Sequence, residues 1–124
     1  MTLRREGVPP PEPGAGEPSD QGGQLKIVPL VGRAGLRLAG ELDLGTRALF
    51  ERELDAQLRI GSGDVHLELA ELEFIDVGAV SLLATRAVGL GDGRRMLLHR
   101  PPPVMCRILD LFWGGVSEIE VESR

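Results

Sequence analysis

The segment Asp64-Val65-His66-Leu67-Glu68-Leu69-Ala70, followed three residues later by Phe74-Ile75-Asp76-Val77-Gly78-Ala79-Val80, decides the fold class. Val65, Leu67 and Leu69 fall on one side of an extended chain, and His66 and Glu68 on the other, which is the period of a strand. Phe74-Ile75 continues the chain inward. From Asp76 the period changes to that of a helix. Val80, Leu83, Ala84, Ala87 and Val88 make one apolar stripe as far as about Leu90, and Gly89, Gly91 and Gly93 end it. A further strand, Arg95 to His99, is centred on Met96-Leu97-Leu98. Strand, helix, strand at this spacing predicts parallel neighbours, because a parallel return needs a crossover connection.

The same alternation extends in both directions. Upstream, Gln24 to Val31 reads as a strand bounded by Gly32, and Leu36-Arg37-Leu38-Ala39-Gly40 reads as its hairpin return. The segment from Gly40 to Thr46 breaks the pattern. A helix from about Thr46 to Ile60 carries Phe50, Leu54 and Leu58 as its apolar stripe, with Thr46 as N-cap and Gly61-Ser62-Gly63 as its end. Downstream, Pro101-Pro102-Pro103 opens a third helix, where a proline lacks only an N–H that has no helical partner. Its stripe, Val104, Ile108, Leu111 and Phe112, is expected on the buried side, and Gly114-Gly115 ends it. Val116 to Glu122 alternates as a last strand. The expected fold is α/β: one mixed, mostly parallel sheet with helices, in the order β-β-α-β-α-β-α-β.

Residues 1–23 contain Pro9-Pro10-Pro11-Glu12-Pro13 and Gly14-Ala15-Gly16, and only Met1, Leu3, Val8 and Ala15 as hydrophobes. Such a stretch buries too little apolar surface to offset its ordering entropy, so it is expected to be a disordered tail before a domain at 24–124. The chain has 124 residues, which suits one domain and is too short for a TIM barrel. Its formal charge of −5 offers no basic footprint for nucleic acid, and 3% aromatics with no Tyr offers no base-stacking platform. The one cysteine, Cys106, excludes an intrachain disulfide and a Cys-based zinc site. No apolar run reaches a membrane span, and Met1-Thr2-Leu3-Arg4-Arg5-Glu6 lacks the apolar region of a secretory signal. A cytoplasmic protein with a reduced thiol is the expectation.

Few residues offer catalytic chemistry. Ser81, His66, His99 and Asp76 are the types a triad uses, but no Gly-x-Ser-x-Gly elbow surrounds Ser81. Two histidines without a spaced carboxylate pattern do not make a metal site, so both read as strand histidines. Gly89-Leu90-Gly91-Asp92-Gly93 precedes a strand rather than opening a helix, so it is not a phosphate cradle. No catalytic residue, metal or cofactor is expected. Trp113, the only tryptophan, is expected to pack over Leu111 and the last strand. Cys106 has no neighbour that would activate it.

The strand-to-helix junction is the most informative site. Asp76 can cap the helix by accepting from Gly78 or Ala79, and the helix dipole favours its charge. Gly78 and Ala79 keep the first turn small, so that another surface could approach it. Asp43 is placed to cap the entry to the first helix.

Three pieces resemble the STAS domain family, the domain of anti-sigma-factor antagonists and sulfate-transporter tails. They are Gly40-Glu41-Leu42-Asp43, then Leu67-Glu68-Leu69 leading to Leu72-Glu73-Phe74-Ile75-Asp76, and then Ile108-Leu109-Asp110-Leu111-Phe112-Trp113-Gly114. The resemblance spans about residues 24–122 and implies a regulatory binding module rather than an enzyme. In the antagonist branch the residue after the Asp is a serine or threonine that a partner kinase phosphorylates, and phosphate at a helix start can expel that partner. Here Asp76 matches, but Val77 stands at the phosphorylated position without a hydroxyl. Gly78 replaces the second hydroxyl residue, and Ala79 the usual glycine. Ser81, one turn on, is the nearest substitute hydroxyl, and Thr85 follows another turn on. Asp43, Asp76, Val77, Gly78 and Ser81 are therefore the expected partner-binding residues. The implied partner is an anti-sigma factor or kinase-like regulator that controls sigma-factor availability without the usual phosphoswitch. The alternative is a soluble accessory subunit of a membrane transporter for lipid or anion.

Overall fold

A computed structural model describes residues 24–122, so the expectation for residues 1–23 lies outside the described residues. The elements are β1 (Leu25–Pro29), β2 (Gly35–Leu42), α1 (Arg47–Leu58), β3 (Val65–Ile75), α2 (Val77–Val88), β4 (Met96–His99), α3 (Pro103–Trp113) and β5 (Ile119–Glu122). They form one mixed five-stranded sheet in the spatial order β1-β2-β3-β4-β5, and the expected order of elements holds throughout. The hairpin pair β1–β2 is antiparallel, and the other three pairings are parallel. Pro29 is tolerated because β1 is an edge strand, where a missing ladder donor costs little. Among the described residues no helix is long and apolar enough to cross a membrane.

Each crossover steps one strand in the same direction, and right-handed connections then place all three helices on one face. The core lies between that face and the helices. Leu36, Leu38 and Leu42 from β2, Leu67, Leu69, Leu72 and Ile75 from β3, and Met96 and Leu98 from β4 meet Phe50 and Leu54 of α1 there. From α2 they meet Ala79, Val80, Leu83 and Ala87, and from α3 Met105, Ile108 and Leu109. Phe50 is fully buried and among the largest core side chains. Phe50→Ala is expected to cost about 3–5 kcal/mol in a denaturant titration, from lost transfer energy plus the cavity left behind. Arg86 of α2 also clamps α1, donating to Asp55 at 2.7 Å and to Glu51 at 2.6 Å. The Arg86 guanidinium holds the Asp55 carboxyl below its usual range.

Several expectations are corrected. First, β2 does not stop at Gly40. It continues to Leu42, passing Gly40 at φ +108 with a shift in register. Second, β3 is a single strand of 11 residues with two register shifts against β2. The first shift turns Leu72 to the core and the second restores the original alternation, so Ile75 points to the core and Phe74 points out. Third, α3 is rotated from the expected stripe. It buries Met105, Ile108 and Leu109 and leaves Val104, Leu111 and Phe112 exposed. Val88, expected in the α2 stripe, is exposed at that helix's last position. Trp113 packs half-buried against the core and tilts onto Phe112, with ring centroids 5.7 Å apart, rather than covering Leu111.

Candidate functional site: the start of α2 and the loop after β2

The site forms where β2 and β3 end and α2 begins. The backbone N–H of Asp76 donates to the Leu42 carbonyl at 3.1 Å, which ties the two strand ends together. Asp76 then leaves the strand conformation at φ −97, ψ 171, and its carboxylate accepts from the Ala79 N–H at 2.9 Å. This is the cap expected from the sequence. Arg47, in the first turn of α1, reaches both carboxylate oxygens of Asp76 at 3.4 Å. Its guanidinium lies over Gly78, on the spot that a Cβ of residue 78 would occupy. The small first turn of α2 thus admits the chain's own arginine. Arg47 was not foreseen, because nothing local links it to a residue 29 positions away.

The loop after β2 is held by its own side chains. The Asp43 carboxylate accepts from the N–H of Gly45 at 3.0 Å and of Thr46 at 3.3 Å. Thr46 occupies the N-cap position of α1, but its hydroxyl turns back and donates to the Glu41 carbonyl at 2.9 Å instead of capping the helix. Asp43 therefore shapes the entry to α1 through an Asx turn. Leu44 stands 77% exposed at the tip of this turn, and Phe74 at 47% and Val77 at 51% are exposed at the same end of β2 and β3. Leu44 and Phe74 thus add exposed apolar side chains at the end where the sequence points to Val77 alone. A leucine wedged between Asp43 and Gly45 is a signal for the first, and Phe74 keeps the side of His66 and Glu68 that alternation from Val65 assigns it.

The structure brings Asp43, Asp76, Val77 and Gly78 together. Ser81 lies one turn further along α2, half-buried, and its carbonyl accepts from the Thr85 hydroxyl at 2.8 Å. Thr85 is thereby turned back on its own helix. Truncating the cap tests the junction. Asp76→Ala is expected to lower stability by about 1 kcal/mol, the usual value of an N-cap, because the long, partly solvated ion pair with Arg47 adds little.

The two histidines sit elsewhere and touch each other. His66 of β3 and His99 of β4 stack with an interplanar angle of 11°, and His66 Nδ1 lies 2.9 Å from His99 Nε2. Burial pushes the Cys106 thiol up from its ordinary value, and nearby Asp110 adds to that.

A family model described as "Mlab, STAS domain" matches residues 31–113. No curated protein matches the chain. Among solved structures, that of the anti-sigma factor antagonist SpoIIAA in its unphosphorylated form superposes with a TM-score of 0.57 at 20% identity. The match covers 78% of this chain and 86% of that one. At that identity the likeness is one of fold.

Proposed function

The chain belongs to the STAS domain family, and from that premise we propose that it is a regulatory protein-binding module that docks a partner on the start of α2. The partner is an anti-sigma factor or kinase-like regulator, as in the antagonist branch that the fold resembles. The observation that carries this reading is the exposed apolar set Leu44, Phe74 and Val77 around a helix start that is already capped by Asp76. A capped helix start makes no demand for an anion, and apolar side chains at its rim gain by leaving water. Val77 has no hydroxyl to phosphorylate, so binding there proceeds without the usual switch.

That same feature favours a second reading. A surface with no release chemistry suits a permanently docked subunit, and so an accessory component of a membrane transporter. Capture from a source-cell lysate on the full chain, with Val77→Glu and Asp76→Arg baits beside it, separates the two. Retention of an ATP-binding anti-sigma factor that both variants lose is the expected result. Retention of a transporter ATPase establishes the second reading instead, and no specific protein on any bait overturns both.

A further inference from the structure

The sheet face opposite the helices carries a polar cluster that the proposed docking surface does not use. In register across this face stand Val28, Arg37, Glu68, His99 and Glu122, one from each strand. Beside them His66 stands opposite Leu97, which stands opposite Glu120. His99 is only 8% exposed and Leu97 9%, although no helix among the described residues covers this face. The imidazole pair supplies part of that cover, since His66 is the cross-strand neighbour of Leu97 and leans over to His99.

One pair of tautomers satisfies both contacts. With hydrogen on His99 Nδ1, which faces the Glu122 carboxylate at 3.4 Å, His99 Nε2 is an acceptor. His66 Nδ1, 2.9 Å away, must then donate, and its Nε2 is the bare nitrogen. A first proton can enter at His66 Nε2 without disturbing the contact. A second has only His99 Nε2 to bind, and it would turn one hydrogen bond into two facing N–H groups of like charge.

We propose that the His66–His99 pair is an acid-sensitive latch on the helix-free face: it stays closed until both rings are protonated, and its opening uncovers Leu97. Charged groups surround it on every neighbouring element. Arg33 from the β1–β2 turn and Arg100 after β4 both pair with Glu68, at 3.6 and 2.8 Å. Arg37 comes from β2, Asp64 precedes β3, and Arg95 precedes β4 and pairs with Glu120 at 2.7 Å. His99 is held against the Glu122 carboxylate at 3.4 Å, so His66 is the ring that leaves. Burial, then Arg33 and His99, hold His66 below the ordinary histidine value. The unfolded chain therefore binds more protons than the folded one as pH falls through the histidine range. Stability is present above that range and is lost as pH falls through it.

Imidazole nitrogen NMR on the full chain tests the latch, with amide exchange measured at about pH 7.5 and 5.5 on either side of the ordinary histidine value. Both rings are expected as Nδ1–H tautomers at neutral pH and to titrate in two separated steps. Exchange of Leu97 and its neighbours, corrected for intrinsic rates, is expected to rise about tenfold in acid in the wild type and to stay level in His66→Gln. Independent titration of the two rings, or an acid-induced rise that persists in His66→Gln, overturns the proposal. If that variant does not fold, the wild-type tautomers and titration steps decide alone.

Discussion

Gly35→Ala is expected to destabilise the protein by about 3–5 kcal/mol, from steric overlap and backbone strain together. For a domain of this size that lowers the melting temperature by roughly 12–25 °C. Gly35 opens β2 at φ +150, in a region that side chains avoid, and a Cβ there would land on the carbonyl of His66. That carbonyl belongs to strand backbone and cannot swing aside. The Leu30 side chain closes the position from the other side, and the Gly35 N–H donates to Gln57 of α1 at 2.8 Å. Relief would require β2 to part from β3, the pairing on which the sheet is built. Gly93 is the control. It also has positive φ, at +74, but a Cβ there meets nothing within 4 Å. Gly93→Ala should therefore show the backbone strain alone, about 1 kcal/mol. Thermal melts of the two variants separate the contributions, and equal losses would show that the overlap at Gly35 is relaxed at little cost.

Val77→Glu is expected to weaken partner binding by about 30- to 100-fold, the loss typical of a central anchor in an interface. The fold should be untouched, because Val77 is half exposed in the first turn of α2 and its backbone does the structural work there. Arg47, which lies over the first turn of α2, is already engaged by Asp76. Val77→Ser is the informative companion. It restores a hydroxyl at the family's phosphorylated position, and under the kinase-like reading it should bind and then acquire phosphate in the presence of the partner and ATP. Titration calorimetry and phosphoprotein mass spectrometry on the captured partner read both effects. Unchanged affinity in Val77→Glu would move the interface away from α2.

Where the chain's own rules conflict, the sequence could not choose. In α3, Val104, Met105, Ile108, Leu109, Leu111, Phe112 and Trp113 are apolar on nearly every side. The stripe through Val104, Leu111 and Phe112 was as regular as the one through Met105 and Leu109, and Ile108 belongs to both. Docking against the sheet and α2 chose the second. The strand pattern of β3 likewise predicted its first half, where no bulge interrupts the alternation. It does not place Leu72, which lies between two register shifts and turns to the side that unbroken alternation leaves outside.

At the site, Asp76 as a cap and Asp43 as a shaper of the α1 entry were legible, because a carboxylate one to three residues before free N–H groups is a local relation. Arg47 over Gly78, and His66 against His99, were not. Those partners lie 29 and 33 residues apart, and only the crossovers bring them within contact distance.

By itself, the sequence determined the order of the elements, the mixed, mostly parallel sheet and the capped junction. Each follows from the period of apolar residues or from hydrogen bonds spanning a few positions. Tertiary structure alone decided which side of α3 is buried, which way Leu72 turns, what fills the space beside Gly78, and that the two histidines meet. Those outcomes depend on register and on helix rotation. Both are set by long-range packing, to which a local pattern of hydrophobic residues is blind.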